Sequence, residues 1–256
     1  MNKYIKKIVI NSLIFLFLFE VASFTAVKTK MIPSSLPSWV ALFASEDYGN
    51  WHPKNVTLDL QVQCNKSTVT YNNFGMRSID DVSILKKIKR VGLLGDSMIE
   101  NIELTDGEDI TSKIKEKLPN FEILNFSARG IGLADQTDIY DKLIKRFKLD
   151  YLFLFVHHND FINNSINGNA REWVRRYDFV DGKIIEIPKD SNYFKKYNSK
   201  FNLFKRNYLI KLKQTNTYKV YIYLTSLQKS KEAKLDKKTI KKNKYIDSFE
   251  ENKIIY

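Results

Sequence analysis

The chain has 256 residues, enough for one substantial domain with an appendage and for a well-buried core without disulfide staples. A hydrophobic fraction of 43% argues against disorder, and the single cysteine, Cys64, excludes an intrachain disulfide or a cysteine-based zinc site. The formal charge of +13 raises nucleic-acid binding, but the lysines are spread along the whole chain without aromatic interleaving, so no specific nucleic-acid partner is expected.

The densest basic run, Lys229 to Lys244, is broken by Glu232 and Asp236 and reads as a solvated helix face. Attraction to acidic lipid headgroups or anionic polymers is the alternative use of the charge. At the N-terminus, Lys3, Lys6 and Lys7 precede an apolar run from Ile8 to Val27, which Lys28 and Lys30 follow. Roughly 20 residues at helical rise span a hydrocarbon core. Glu20 interrupts the run toward its far end, where a charge costs less than at the bilayer centre. The leading lysines favour a cytoplasmic N-terminus and an exported remainder. A cleaved signal peptide competes, but the run is longer than an ordinary h-region and shows no Ala-x-Ala site; a buried core helix is the third reading. The expectation is a signal-anchor over residues 1–30, single-pass, with the domain extracytoplasmic (periplasmic or at the cell surface).

A linker is expected over residues 31–54, where Pro33, Ser34, Ser35, Pro37 and Ser38 have the composition of an extended spacer. The domain is placed over residues 55–256. Val56 to Tyr71 alternates apolar and polar, which predicts a half-exposed strand or hairpin. Lys89 to Leu94 reads as a short strand ending at Gly95. Ile110, Ile114 and Leu118 line one helical face, stopped by Pro119-Asn120. Phe121 to Phe126 is a second strand and Asp135 to Phe147 a second amphipathic helix. Tyr151 to Val156 is apolar on both faces, as central parallel strands are. Strands alternating with helices at this spacing predict an α/β fold with a parallel sheet. Further on, Phe179 to Ile185 predicts a small hairpin turning at Asp181-Gly182, Tyr208 to Lys244 is mostly helical in pattern, and Lys253 to Tyr256 reads as the start of another strand.

Ligands of open parallel sheets bind outside the carboxyl ends of the strands, so the residues there carry the functional argument. The three ends are Gly95-Asp96-Ser97-Met98, then Asn125 to Gly132, then His157-His158-Asn159-Asp160. A serine directly after a strand and a glycine is presented at the mouth of the crevice. Acyl transfer needs two or three donors converging on the developing oxyanion. The N–H groups of Ser97 and Gly130 and the side-chain amide of Asn159 would supply them from three loops, and a glycine at 130 permits close approach to substrate. A Gly-Asp-Ser tripeptide alone is most often a plain turn; three ordered strand ends together are more specific.

These segments resemble the SGNH/GDSL hydrolase superfamily. Gly95-Asp96-Ser97 is similar to its first block, Asn125 to Gly132 to its second, and Asn159-Asp160 to the Asn-Asp of its third. Upstream, Tyr71-Asn72-Asn73-Phe74-Gly75-Met76-Arg77 resembles the Asn-x-x-Gly-x-Arg segment that precedes the domain in many membrane-anchored bacterial members. The resemblance implies a flavodoxin-like three-layer α/β/α fold after one transmembrane helix, with Ser97 as nucleophile and Ser97, Gly130 and Asn159 around the oxyanion. Gly95, Asp96, Asp160 and His158 would support the nucleophile loop and the crevice. No cofactor or metal is implied, and His157-His158 has no third ligand at a convincing spacing.

Two departures stand out. His157 occupies the place of a family glycine, and the Asp-x-x-His block that supplies the general base and its orienting carboxylate is missing. The three histidines, His52, His157 and His158, all lie far before its place. His157 or His158 could line the crevice, substitute as base or be purely structural; His52, in Trp51-His52-Pro53, reads as structural. The simplest expectation is a domain incomplete at its C-terminus. The expected function is an esterase or O-acyl hydrolase/transferase acting on ester-containing small molecules, glycans or lipids of the envelope, the substrate resting on location alone. The alternative is a catalytically dead, membrane-anchored carbohydrate- or lipid-binding or assembly module.

Overall fold

A run of apolar residues without glycine or proline carries α1 (Lys3–Lys28), which stops where Lys30 turns to φ +60°. Tyr4–Lys28 has a mean hydropathy of 2.1 and is almost wholly exposed, so this helix is long and apolar enough to cross a membrane. The computed structural model describes residues 3–62, 64–166, 173–189, 192–194 and 215–228. They fall into two compact units, Met1–Ser34 with Gln214–Tyr256, and Ser35–Lys213.

In the first unit, the Glu20 carboxylate accepts hydrogen bonds from the N–H groups of Asn216 and Thr217, at 3.0 and 3.1 Å, and from both their side chains. These groups open a helix over 216–228, whose first N–H groups have no intrahelical partner. The charge that interrupts the apolar run is thereby a cap. The rest of the helical pattern read over 208–244, the basic run from Lys229 and the strand start at 253–256 lie outside the described residues.

The second unit begins in the segment whose composition suggested a spacer. β1 (Leu36–Pro37) pairs in parallel with β4 (Val56–Val62), and β2 (Phe43–Ser45) forms a hairpin with β3 (Gly49–Trp51). Leu36, Val40, Ala41, Ala44 and Trp51 are buried, which ties this stretch to the domain. β4 and β5 (Asn65–Tyr71) pair antiparallel from Val56↔Tyr71 to Val62↔Asn65. Val56, Leu58 and Leu60 are buried while Thr57 and Asp59 are exposed, the faces that the alternation predicts.

β6 (Lys89–Leu94), β7 (Phe121–Asn125) and β8 (Tyr151–Leu154) form a parallel sheet in the order β7-β6-β8. α3 (Ile110–Lys117) covers one face, where Ile110 and Ile114 pack on Val91, Leu93, Ile99 and Ile123. The other face carries Leu94, Leu124, Phe126, Ile139 and Phe147. α4 (Leu133–Lys142) is shorter than the periodicity suggests: a 3₁₀ turn over Ile144–Phe147 replaces its last turn. The tighter winding lets Ile144 and Phe147 both reach the core before Lys148 ends the segment at φ +50°.

β8 departs further from expectation. Its sequence reads as a central strand, yet among the described residues it pairs only with β6, and Tyr151, Phe153 and Leu154 are exposed. The last hairpin, β9 (Arg176–Val180) with β10 (Lys183–Ile187), turns at Asp181-Gly182 with positive φ at both residues, the two-residue geometry this dipeptide favours. The fold is therefore mixed α/β with a parallel sheet and one N-terminal apolar helix.

Candidate functional site

β6 ends in Gly95, where a Cβ would lie 2.8 Å from Ile99 Cγ1, so only a glycine lets the chain turn directly into α2 (Ser97–Glu100). Asp96 caps α2 by accepting the Met98 N–H on Oδ1 at 2.9 Å. Its Oδ2 accepts from the Asn159 side-chain amide at 3.0 Å, which fastens the end of the third strand to that of the first. Ser97 opens α2 at this junction, half-buried, beside an exposed Met98.

The end of β7 reaches the same place. The Phe126 N–H donates to Leu93 O at 2.8 Å and the Ala128 N–H to Gly95 O at 3.4 Å, carrying the chain along β6 to Gly130. Buried Asn125 donates to Ile99 O and Thr111 Oγ1 and accepts the Ser127 N–H, so it braces the Ser97 turn against its own loop. Gly130 has φ +68°, a left-handed conformation costly for a residue with a Cβ. Among the described residues the N–H groups of Ser97 and Gly130 donate to no other group.

After β8, His157 precedes α5 (His158–Asn163), and its N–H is accepted by Asp160 Oδ2 at 2.9 Å. Asp160 is fully buried and also accepts from Gln136 Nε2 at 3.2 Å. Burial raises its carboxyl, Asp96 nearby pushes the same way, and the His157 N–H opposes them. Asn163 Nδ2 donates to Ile131 O at 2.9 Å, linking α5 to the Gly130 loop. His157 Nδ1 hydrogen-bonds Asn159 Oδ1, and Asp96 takes one of the two Asn159 amide hydrogens, leaving the second for another acceptor. The His157 and His158 rings are exposed with centroids 4.2 Å apart. Among the described residues no histidine hydrogen-bonds Ser97. The expected residues Gly95, Asp96, Ser97, Gly130, Asn159 and Asp160 thus lie at the same carboxyl edge of the sheet, with His158 on the helix beside it.

Sequence reasoning missed the group behind this edge. Glu100, at the far end of α2, is fully buried; its Oε1 lies 3.0 Å from His52 Nε2 and accepts the Tyr71 hydroxyl at 2.9 Å. Its Oε2 accepts the Arg129 N–H at 2.6 Å. Burial alone would raise this carboxyl, but the charges of His52 and Arg129 and the hydrogen bonds from His52 and Tyr71 outweigh it and hold it at about 2. Tyr71 moves the opposite way, far above its ordinary value, through burial and the Glu100 charge. His52 also contacts Gly75 O through Nδ1 at 2.9 Å, in keeping with its structural reading. Buried Arg77 donates to the carbonyls of Glu100, Asn101 and Leu104, which tie off the end of α2. The one signal in the sequence is that Tyr71 and Arg77 bound the Asn-x-x-Gly-x-Arg segment.

Among the described residues no three His, Cys, Asp or Glu side chains converge as a metal site needs. A cleft of about 830 Å³ lies elsewhere, against the amino ends of β6 and β7 among Ile79, Asp80, Arg90, Phe121 and Glu122. That end of a parallel sheet is not where strand-end loops converge, so the carboxyl edge at Ser97 is the better candidate. No protein-family model matches the chain, and no curated protein matches it.

Proposed function

We propose that the chain is a membrane-anchored serine esterase or O-acyl hydrolase/transferase of the SGNH/GDSL type, with α1 as the anchor and the domain extracytoplasmic. One observation carries the reading: Asp96 bridges the Met98 N–H and the Asn159 amide, while Ala128 brings the Gly130 loop to Gly95. A serine at a strand end, two backbone N–H groups with no acceptor among the described residues and a side-chain amide therefore lie along the same edge of the sheet. The sheet order supports the finer fold, because a first strand between the second and third is how flavodoxin-like, doubly wound sheets begin. The lysines before the apolar run support a cytoplasmic N-terminus.

In this mechanism Ser97 Oγ bonds to an ester carbonyl carbon, and the carbonyl electron pair moves onto its oxygen, facing the Ser97 and Gly130 N–H groups and the Asn159 amide. Collapse breaks the bond to the leaving oxygen, which takes up the proton given up by Ser97 and departs as the alcohol; the acyl-serine that remains is then cleaved by water or a second alcohol. The expected substrates are esters on envelope glycans or lipids. The Ser97 proton needs an acceptor, and among the described residues no histidine hydrogen-bonds Ser97: His52 is held by Glu100 and Gly75, His157 Nδ1 by Asn159, and the exposed His158 ring lies beside that of His157. That observation favours the second reading, a binding or assembly module that keeps the crevice without turnover.

A fluorophosphonate probe separates the two on the full chain in membranes. Covalent labelling that disappears in Ser97→Ala supports the hydrolase, since oxyanion donors alone sustain slow reaction of the serine. A folded chain left unlabelled after prolonged exposure sinks it and leaves the binding module.

A further inference from the structure

We propose that Asn50, which belongs to none of the three strand ends, aims the Gly130 N–H into the crevice. The inference rests on reading Gly130 as an oxyanion donor. Asn50 lies in β3, is 2% exposed, and uses Nδ2 to donate to Arg129 O at 3.1 Å and to Gly130 O at 3.0 Å. Its Oδ1 accepts the Trp173 indole N–H at 2.8 Å, which fixes the amide's orientation.

A peptide unit is planar, and in the trans form its C=O and N–H point in opposite directions. No described peptide bond is cis. The Arg129 carbonyl and the Gly130 N–H belong to one such unit, so drawing the carbonyl toward Asn50 turns the N–H away from it. The neighbouring units are held as well: the Arg129 N–H by Glu100, and the Gly130 carbonyl by the same Asn50 nitrogen. With Gly130 at φ +68°, two successive carbonyls turn to one amide group, whose two hydrogens they saturate. Flipping the central unit would break the bond to Asn50 and present a carbonyl oxygen where the donor stood. An oxyanion would then meet repulsion. Asn50 is thus a positioning residue, acting through the backbone without touching substrate.

The test uses the full chain in detergent micelles with the fluorophosphonate probe. Asn50→Asp keeps the side chain's shape and its acceptor for Trp173 but replaces both donors with a charge facing two carbonyl oxygens. The expected result is Ser97 labelling slowed on the order of tenfold to a hundredfold, toward the loss seen when one oxyanion donor is removed. The Gly130 amide resonance should move in spectra of chain labelled with ¹⁵N-glycine, which show only nine glycines. Labelling at the wild-type rate in folded Asn50→Asp overturns the proposal. If the wild-type chain itself goes unlabelled, the hydrolase reading fails by itself, and the Gly130 resonance decides: a shift in Asn50→Asp supports the positioning role and an unmoved peak overturns it. Should Asn50→Asp not fold, Trp173→Phe, which frees the Asn50 amide to rotate, is judged by the same two readouts with a smaller expected loss.

Discussion

Leu93 and Phe153 stand opposite each other in neighbouring parallel strands and project from the same face of the sheet. Leu93 is 1% exposed and Phe153 is 53% exposed. Both lie in short apolar segments that read alike in the sequence. The difference is the layer above them: α3 lays Ile110 and Ile114 over the half of the face built by β7 and β6, and no described element continues that layer over β8. Burial is decided by the covering element, and residue type only makes it favourable. Among the polar groups, Glu100, Arg77, Asn125 and Asn50 are buried and bonded, as is Asp160 after β8, whereas its neighbours His157 and His158 stand exposed.

The largest way to test this division is to hollow out its covered half. Leu93→Ala should cost about 2–5 kcal/mol, the lost transfer energy together with a cavity beneath α3. Denaturant unfolding reads it directly; a cost near zero would mean that the α3 layer is not packed as described.

Glu100 tests the buried polar groups through pH. Its carboxyl drops from an ordinary 4.5 to about 2 in the fold, despite the burial that opposes ionisation. A group depressed on folding stabilises the native state above its unfolded value, and that stabilisation fades as pH falls toward the folded one. The contribution at neutral pH is at most about 3 kcal/mol and should disappear between pH 4.5 and pH 2. Glu100→Gln should accordingly be less stable than wild type at pH 7 and converge on it near pH 2. Asp160, raised by burial, works with the opposite sign and partly offsets the acid loss. Equal stability of the two chains at pH 7 would remove Glu100 from its tying role.

The smallest effect belongs to the open side. Phe153→Ser should change stability by no more than about 0.5 kcal/mol, because little apolar contact is lost there. It should also reduce self-association in light scattering, since a bare apolar strand edge invites pairing. A loss comparable to that of Leu93→Ala would show that β8 is covered after all.

Much of the local structure was legible beforehand. The β4–β5 hairpin and its buried face followed from alternation, the Asp181-Gly182 turn from its dipeptide, and α3 from the spacing of Ile110 and Ile114. That the three strand ends come together was legible for a related reason: each contributing segment is a short stretch directly after a strand. The exchange of the last turn of α4 for a 3₁₀ turn was not, because Ile144 and Phe147 fit an α-helical stripe equally well.

The sequence by itself determined the β4–β5 pair, the three strands of the parallel sheet, α3 and the start of α4, that an apolar helix leads the chain, and that Gly95, Ser97, Gly130 and Asn159 follow strand ends. Those are properties of near neighbours, set by periodicity, turn chemistry and hydropathy. Tertiary structure alone decided that β8 pairs only with β6 among the described residues, that Glu20 caps a helix 196 residues later, and that Asn50 reaches both Gly130 and Trp173, the latter 123 residues away. Contacts over such distances carry no period along the chain. They form only once the packed layers have placed the partners side by side, and there each buried polar group must find a partner or bear its desolvation cost.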